Sequence, residues 1–495
     1  MKSIPAGCGP SLSHEGEPDP QAAGYAAPDP RRWRALMVTQ LAAFMILLDV
    51  SIVNVALPSI EREFAVPAAT AQWVVSGYAL TLGLTLVPAG RLGDAFGRRR
   101  MFLLGLAAFV LTSAMTGAAP SPGALIAARL LQGVAGGLLI PQNSGLVQEH
   151  FAGAERGRAF GILGSTIGLA TAAGPVVGGL ILSSDPGQDA WRWVFYVNVP
   201  IGLIALPLAI RLVRSSTGQG PRTTHLDARG SLLLGAGVLS LLIPLVDAGD
   251  GGAYRLWWLW PMAALLLAGF CAWEAHVVRR GRQPLLDPRL RRTPGYVAGS
   301  GIGLVYFVGF TGIWLVLALF FQDGLGYSPL RSGLAVTPFA LSVAVSAMVA
   351  GRLVARFGRW LTICGLAAAV VGLAATALEL RHATGGGAAA AIVLPLVVAG
   401  FGSVMVTSPN MTLTLQNVPV GMAGVAGGAV QTAQRIGAAI GTATLATIFY
   451  HLLVRTGGNY ATAIYGAVLA SCGFMAVALL LALTDLARRK SARPA

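Results

Sequence analysis

Asp49, Arg129 and Arg435 lie deep inside long apolar runs in which almost nothing else is ionisable. An ion near the centre of a bilayer costs at least about 2.5 kcal/mol, so such residues mark a task or a partner. A carboxylate in that setting can carry a proton, and a guanidinium nearby competes with the proton to neutralise it. Asp49 and Arg129 are the candidates for that chemistry. Two readings stay open for them: a proton carrier tuned by an arginine, and a permanent ion pair that holds two helices together. Arg435 shares its run with Gln431 and Gln434. Glu274 is different, because Arg279 and Arg280 follow it at a helix end, where an interfacial pair is the simpler reading.

Several chemistries are excluded by residue type. A phosphate-cradling loop for ATP needs a lysine, and the lysines here are Lys2 and Lys490, both in the tails. Energy for any uphill step must therefore come from an ion gradient or a solute. There is no His-Glu-x-x-His, Cys-x-x-Cys or Gly-x-Ser-x-Gly arrangement, and Cys8, Cys271, Cys364 and Cys472 are scattered. No metal, cofactor or enzymatic activity is expected.

The elements that position these charges are membrane spans. Of 495 residues, 55% are hydrophobic and 11% are charged, and the mean hydropathy is +0.68. About fourteen mostly apolar runs, from 35–57 to 459–484, are each long enough to cross a hydrocarbon core as a helix. The net charge of +15 would suggest nucleic acid in a soluble chain, but here the positive residues fill short gaps between spans. With the N-terminus placed inside, 27 of the 35 Lys and Arg fall in inner segments and 6 in outer ones. That asymmetry orients the chain with both termini cytoplasmic. Trp191, Trp193, Trp257, Trp258 and Trp260 fall at outer span ends, where amphipathic rings favour the interface. Residues 1–33, rich in Pro, Gly and Ala, read as a disordered cytoplasmic tail.

One stretch occurs twice. Gly90-Arg91-Leu92-Gly93-Asp94-Ala95-Phe96-Gly97-Arg98 returns as Gly351-Arg352-Leu353-Val354-Ala355-Arg356-Phe357-Gly358-Arg359, each time in a short inner loop. Parallel halves of six spans with two helices inserted between them would produce this arrangement. The first copy resembles the signature loop of the major facilitator superfamily. The resemblance implies a cytoplasmic latch made by Gly90, Asp94, Gly97 and Arg98. Asp94 can pair with Arg98 or meet a helix N-terminus of the facing half. Ala95 stands where a basic residue is often found, and Ala355 stands in the second copy where an Asp would sit.

The fifth run carries Gly161, Ala170, Gly174, Pro175, Gly178 and Gly179 at spacings that resemble the antiporter motif of the same superfamily. Small residues there permit close helix packing, and Pro175 removes a backbone donor. Leu48-Asp49-Val50-Ser51-Ile52-Val53-Asn54-Val55-Ala56-Leu57-Pro58, the segment Trp191 to Gly202 and Pro284-Leu285-Leu286-Asp287 narrow the resemblance to the fourteen-span drug:proton antiporter family. It covers residues 35 to about 485 and implies an all-α polytopic fold that exports drug-like or antibiotic compounds in exchange for protons.

The expected organisation is a tail at 1–33, an N-terminal six-helix half at 34–213, a linker with two extra helices at 214–280, a C-terminal half at 281–486 and a tail at 487–495. Asn54, Gln132, Gln431, Gln434 and Arg435 are the expected lining of a substrate cavity. The expected partners are a small-molecule substrate, protons and the lipid bilayer, with no nucleic acid, and the chain is expected to work as a monomer in the cell inner (plasma) membrane. Metabolite uptake or facilitated passage by the same fold, a membrane-embedded enzyme and a receptor remain the alternatives. The charge asymmetry makes a direct prediction for the 91–100 loop: an impermeant thiol reagent added to intact cells leaves an Arg99→Cys variant unlabelled, and labelling from outside would reverse the assigned orientation.

Overall fold

The computed structural model describes residues 31–66, 68–151, 153–184, 189–213, 227–246, 255–281, 284, 288–382, 387–419 and 422–491. Most of the expected N-terminal tail thus lies outside the described residues. The first half comprises α1 (Arg32–Phe64), α2 (Ala68–Phe96), α3 (Arg98–Gly117), α4 (Pro122–His150), α5 (Gly153–Ser184), α6 (Ala190–Tyr196) and α7 (Asn198–Leu212). A pair follows, α8 (Ala228–Val246) and α9 (Leu259–Arg279). The second half comprises α10 (Tyr296–Leu319), α11 (Pro329–Phe357), α12 (Arg359–His382), α13 (Val393–Leu415), α14 (Ala423–Arg455) and α15 (Tyr460–Ser491).

Among the described residues, 12 stretches are long and apolar enough to cross a membrane. The chain is therefore an all-helical, multi-pass membrane protein. In lipid each backbone polar group must be satisfied within its own segment, and helices do this residue by residue. Two more helices stand outside that set and still pack lengthwise in the bundle: α5 against α1 and α11, and α8 against α9, α2 and α14.

Local signals set several boundaries. Ser121 before Pro122 and Ser328 before Pro329 each accept a hydrogen bond from a first-turn backbone amide, at 3.3 Å in both cases, while proline occupies a position whose amide would have no helical partner. Gly97 and Gly358, equivalent in the repeated stretch, turn the chain between helices with φ of 95° and 51°. Side chains with a Cβ rarely adopt that backbone, which explains why both copies keep glycine there.

The halves meet along α5 and α11, and along α2 and α14. Small residues make the first seam. A Cβ on Gly161 would lie 2.7 Å from the Ala347 carbonyl, and one on Gly351 would lie 2.5 Å from the Gly157 carbonyl. Further along α5, Gly178 would meet Ile52 of α1 at 3.0 Å, and Gly179 would meet Leu330 of α11 at 3.1 Å. Ala170 is fully buried. One helix therefore serves two interfaces, to α1 inside its own half and to α11 across the halves.

The exposed faces of α3, α7 and α12 carry Leu104, Leu111, Leu203, Ile204 and Val371, as expected of helices that look at lipid. Gly174 is the sharpest packing constraint on the α1 side, because a Cβ there would overlap the Ser51 side chain and stand 3.0 Å from the Ile52 amide nitrogen. Gly174→Leu is expected to separate α1 from α5 and destabilise the protein by about 1–3 kcal/mol or more. The check is thermal melting of the purified variant in detergent, and an unchanged melting temperature would show that α1 and α5 do not depend on this contact.

Candidate functional site

Asp49 lies within α1 and is completely buried, as is Arg129 of α4 at 1% exposure. Arg129 Nη1 donates to Asp49 Oδ2 at 2.6 Å. The other carboxylate oxygen, Oδ1, accepts from Gln132 Nε2 at 3.2 Å and from Asn198 Nδ2 at 2.9 Å. Arg129 is itself anchored by Nε to the Val74 carbonyl at 2.9 Å and by Nη1 to Gln132 Oε1 at 2.9 Å. Its guanidinium lies 4.1 Å from the centre of the Tyr78 ring and 5.5 Å from that of Phe195. Asn198 also donates to Ser113 Oγ at 3.0 Å, and Ser113 donates to the Phe195 carbonyl at 2.9 Å.

Five helices therefore converge on one carboxylate: α1, α2, α3, α4 and the first residue of α7. Burial of each ion costs several kcal/mol in desolvation, and only close pairing with additional hydrogen bonds offsets that. Removing one partner from such a pair typically costs about 3–5 kcal/mol. Every donor to Asp49 sits on a helix other than its own, so helix movement within this half is felt at the carboxylate.

A second polar site lies at the bundle end where α1 begins and α15 finishes, the terminal end. Asp94 Oδ1 accepts from Arg98 Nη2 at 2.9 Å and Nε at 3.2 Å, and its Oδ2 accepts from the Val425 backbone amide at 3.2 Å. Val425 is in the first turn of α14, so a carboxylate of the first half caps a helix of the second, where unpaired amides and the helix dipole favour negative charge. Arg98 also reaches Glu149 at 3.5 Å. Nearby, Gln431 Nε2 donates to Ser144 Oγ across the halves at 3.2 Å. Leu36, Val147, Phe160, Met411, Leu415 and Val430 form an apolar plug from both halves beside these contacts. In this conformation the terminal end is shut.

The second half has its own version of the loop interaction. Arg359, equivalent to Arg98 in the repeat, donates from Nε to Asp485 at 2.9 Å and from Nη1 to Asn410 Oδ1 at 2.7 Å. The acid that pairs with it comes from α15 and not from the loop.

The candidate residues are thus distributed over several places. Asp49, Arg129 and Gln132 share one cluster, Gln132 being spent on the ion pair. Asp94 and Arg98 sit at the terminal end; Gly90 is buried in α2, and Gly97 makes the turn that follows. Gln431 bridges the halves, whereas Gln434 approaches Gly303 of α10, where a Cβ would stand 3.5 Å from its Nε2. Arg435 lies on the α2 side of α14, its Cβ 3.9 Å from where Gly83 would place one. The side chains of Asn54 and Pro175 fall outside those described. Asn198, Ser113 and Tyr78 were not foreseen as site residues. Asn198 stood in the quoted Trp191 to Gly202 segment, and an asparagine inside an apolar run was the available signal.

A family model described as the Major Facilitator Superfamily matches residues 40–442. The chain belongs to the major facilitator superfamily. Members are transporters and not enzymes. This major facilitator chain is 36% identical over 452 residues to the probable actinorhodin transporter of Streptomyces coelicolor, covering 90% of this chain and 76% of that one. It is 36% identical over 443 residues to the puromycin resistance protein pur8 of Streptomyces alboniger, covering 86% and 84%. Its fold is similar to that of the human organic anion transporter MFSD10 (TETRAN), with a TM-score of 0.68 at 15% identity, covering 92% of this chain and all of that one.

The closed terminal end of this major facilitator fold makes a geometric prediction. A Cβ on Gly427 would stand 3.3 Å from Ser144 Cβ across the halves, close to the separation a disulfide needs. In a background cleared of its native cysteines, Ser144→Cys with Gly427→Cys is expected to form a bridge on mild oxidation and to halt transport until reduced. Gel mobility after proteolysis between the halves reads the bridge; a pair that never bridges would show that this closed arrangement is not visited.

Proposed function

We propose that the protein exports drug-like or antibiotic small molecules in exchange for protons by alternating access, as one of the fourteen-span drug:proton antiporters. The observation that carries this reading is the fully buried Asp49–Arg129 pair, whose carboxylate takes its hydrogen bonds from α4 and α7 and not from its own helix. While Arg129 holds the carboxylate, the arginine neutralises its charge. When helix movement separates the two, a carboxylate in a low-dielectric interior takes a proton instead, so conformation and proton occupancy become linked. Substrate that shifts either group would then drive proton exchange.

Supporting this reading, α5 and α8 pack in the bundle beside the twelve apolar stretches, the 27-to-6 charge asymmetry favours cytoplasmic termini, and two relatives are named for an antibiotic transporter and an antibiotic resistance protein. On that orientation the shut terminal end faces the cytoplasm, and Asp94 is the latch that holds it. The halves are 34–213 and 281–486, with α8 and α9 in the linker between them, and the working unit is a monomer in the plasma membrane.

Asp49→Asn keeps the shape and two of the hydrogen-bonding neighbours but removes the titration. In proteoliposomes it is expected to abolish uphill, proton-driven substrate movement while leaving downhill movement measurable. Undiminished uphill export with normal proton exchange would move the coupling site away from Asp49.

A further inference from the structure

The second half carries an open trough between α11 and α13, with a volume of about 680 Å³. It runs from Pro338 to Ser346 on α11 and from Val393 to Phe401 on α13, roughly 12 Å along each helix. Leu341 and Val345 rim one side, Val397 and Phe401 the other, and all four are exposed. Between them Ser342 and Ser346, one helical turn apart, supply short side chains, so the space is left unfilled from within. The Ser342 hydroxyl is spent on the Val397 carbonyl, at 2.7 Å. Gly400 holds the two helices together behind the trough, since a Cβ there would stand 2.5 Å from the Phe339 carbonyl.

Both walls belong to stretches long and apolar enough to cross a membrane, Leu330–Ala347 and Val393–Leu415, so the trough faces hydrocarbon. Water finds too few polar partners there to fill it, and an empty space would leave the lining atoms without contacts on one side. Lipid tails are as apolar as the walls, so fit and not the hydrophobic effect decides what stays. One leaflet of the hydrocarbon core is about 15 Å deep, half of roughly 30 Å. A trough of this length, open along the helix axes, matches most of one extended acyl chain. On α13 it starts at Val393, the first residue of the span, which places it in the leaflet away from the terminal end.

The opposite side of α11 makes the seam with the first half at the same height. Val343 leaves no room for a Cβ on Gly168 of α5, and the Ala344 carbonyl accepts from Ser165 of α5 at 3.2 Å. We propose that the trough holds one acyl chain of a membrane phospholipid as a resident ligand, seated behind the α5–α11 seam. The inference goes beyond the exporter reading and does not depend on it. Walled by two helices, the chain leaves more slowly than chains lying on the open faces of α3 and α12, and it backs the one helix that bears on α5.

The test reconstitutes the full chain in phosphatidylcholine vesicles that include a phosphatidylcholine with a photoactivatable diazirine in one acyl chain. After a chase with excess unlabelled vesicles, illumination and peptide mapping should find the label on 338–346 and 393–401 at least about fivefold above the lipid-facing segments around Leu111 of α3 and Val371 of α12, the contrast a slower dissociation produces. Ser346→Leu fills the trough from α11 and should bring that ratio to near unity, while labelling around Leu111 and Val371 holds and shows that the variant is folded. Val398→Phe, from the other wall, should do the same. Ser346→Ala leaves the trough open and should keep the ratio within about twofold of the parent, because the chain is recognised by shape. A parent ratio near unity, or one that survives both filling variants, overturns the resident chain. So does a ratio lost in Ser346→Ala, which would mean an occupant bonded to the hydroxyl, and so does displacement of the label by puromycin, which would make the trough a groove for cargo.

Discussion

A charge inside a bilayer must be neutralised by its surroundings, and the first half of this protein is organised around that requirement at Asp49. The carboxylate draws Arg129 and Gln132 from α4 and Asn198 from α7, while Val74 and Tyr78 of α2 hold the guanidinium in place. Helices that would otherwise slide freely against one another, since lipid is as apolar as their own side chains, are registered by these few polar contacts. Glycine then sets how closely they approach: Gly133 and Gly137 of α4 have no room for a Cβ beside the Tyr78 and Leu82 carbonyls of α2. Polar pairing fixes position along the helix axes, and small residues fix the distance between them.

The contacts between halves follow a different logic. At the terminal end they are directional, with a carboxylate on a helix amide and a glutamine on a serine hydroxyl. Along α5 and α11 they are mainly steric, glycine against backbone carbonyl, with one hydrogen bond from the Ser165 hydroxyl to the Ala344 carbonyl at 3.2 Å. Directional contacts break in discrete steps and cost little each, about 0.3–2 kcal/mol for a charge at a helix terminus. A joint with both kinds of contact can be closed firmly at one end and still turn along its length.

Much of this was readable in the amino-acid order. Long apolar runs announced helices, and a structural helix lies over each of them. Asp49 and Arg129 were legible because ionisable residues are rare in such runs, and the double occurrence of the Gly90 stretch pointed to two related halves. Neutral partners were harder to see. Ser113, Asn198 and Tyr78 have ordinary side chains for a membrane helix, and only the packing of α2, α3 and α7 around α1 brings them to the carboxylate. The same limit applies to the glycines of α5. Their spacing showed that something approaches closely, but which of them faces α1 and which faces α11 depends on helix rotation, set by neighbours distant in sequence. Gln132 was expected in a substrate cavity, and in the structure it bonds both members of the ion pair, three residues from Arg129 on one helix face.

The pair α8 and α9 lies across the joint between α2 and α14. Phe270 of α9 packs on Val87 of α2 and Val425 of α14 together, with Leu233 and Leu234 of α8 beside it. In the proposed alternating-access cycle, a bulky ring lodged between the two bodies acts like the detent of a ratchet: it makes certain alignments restful and the positions between them resistant. The timing of that proposed cycle is then set by a side chain remote from Asp49 and Arg129, on helices that a minimal pair of six-helix halves would not contain.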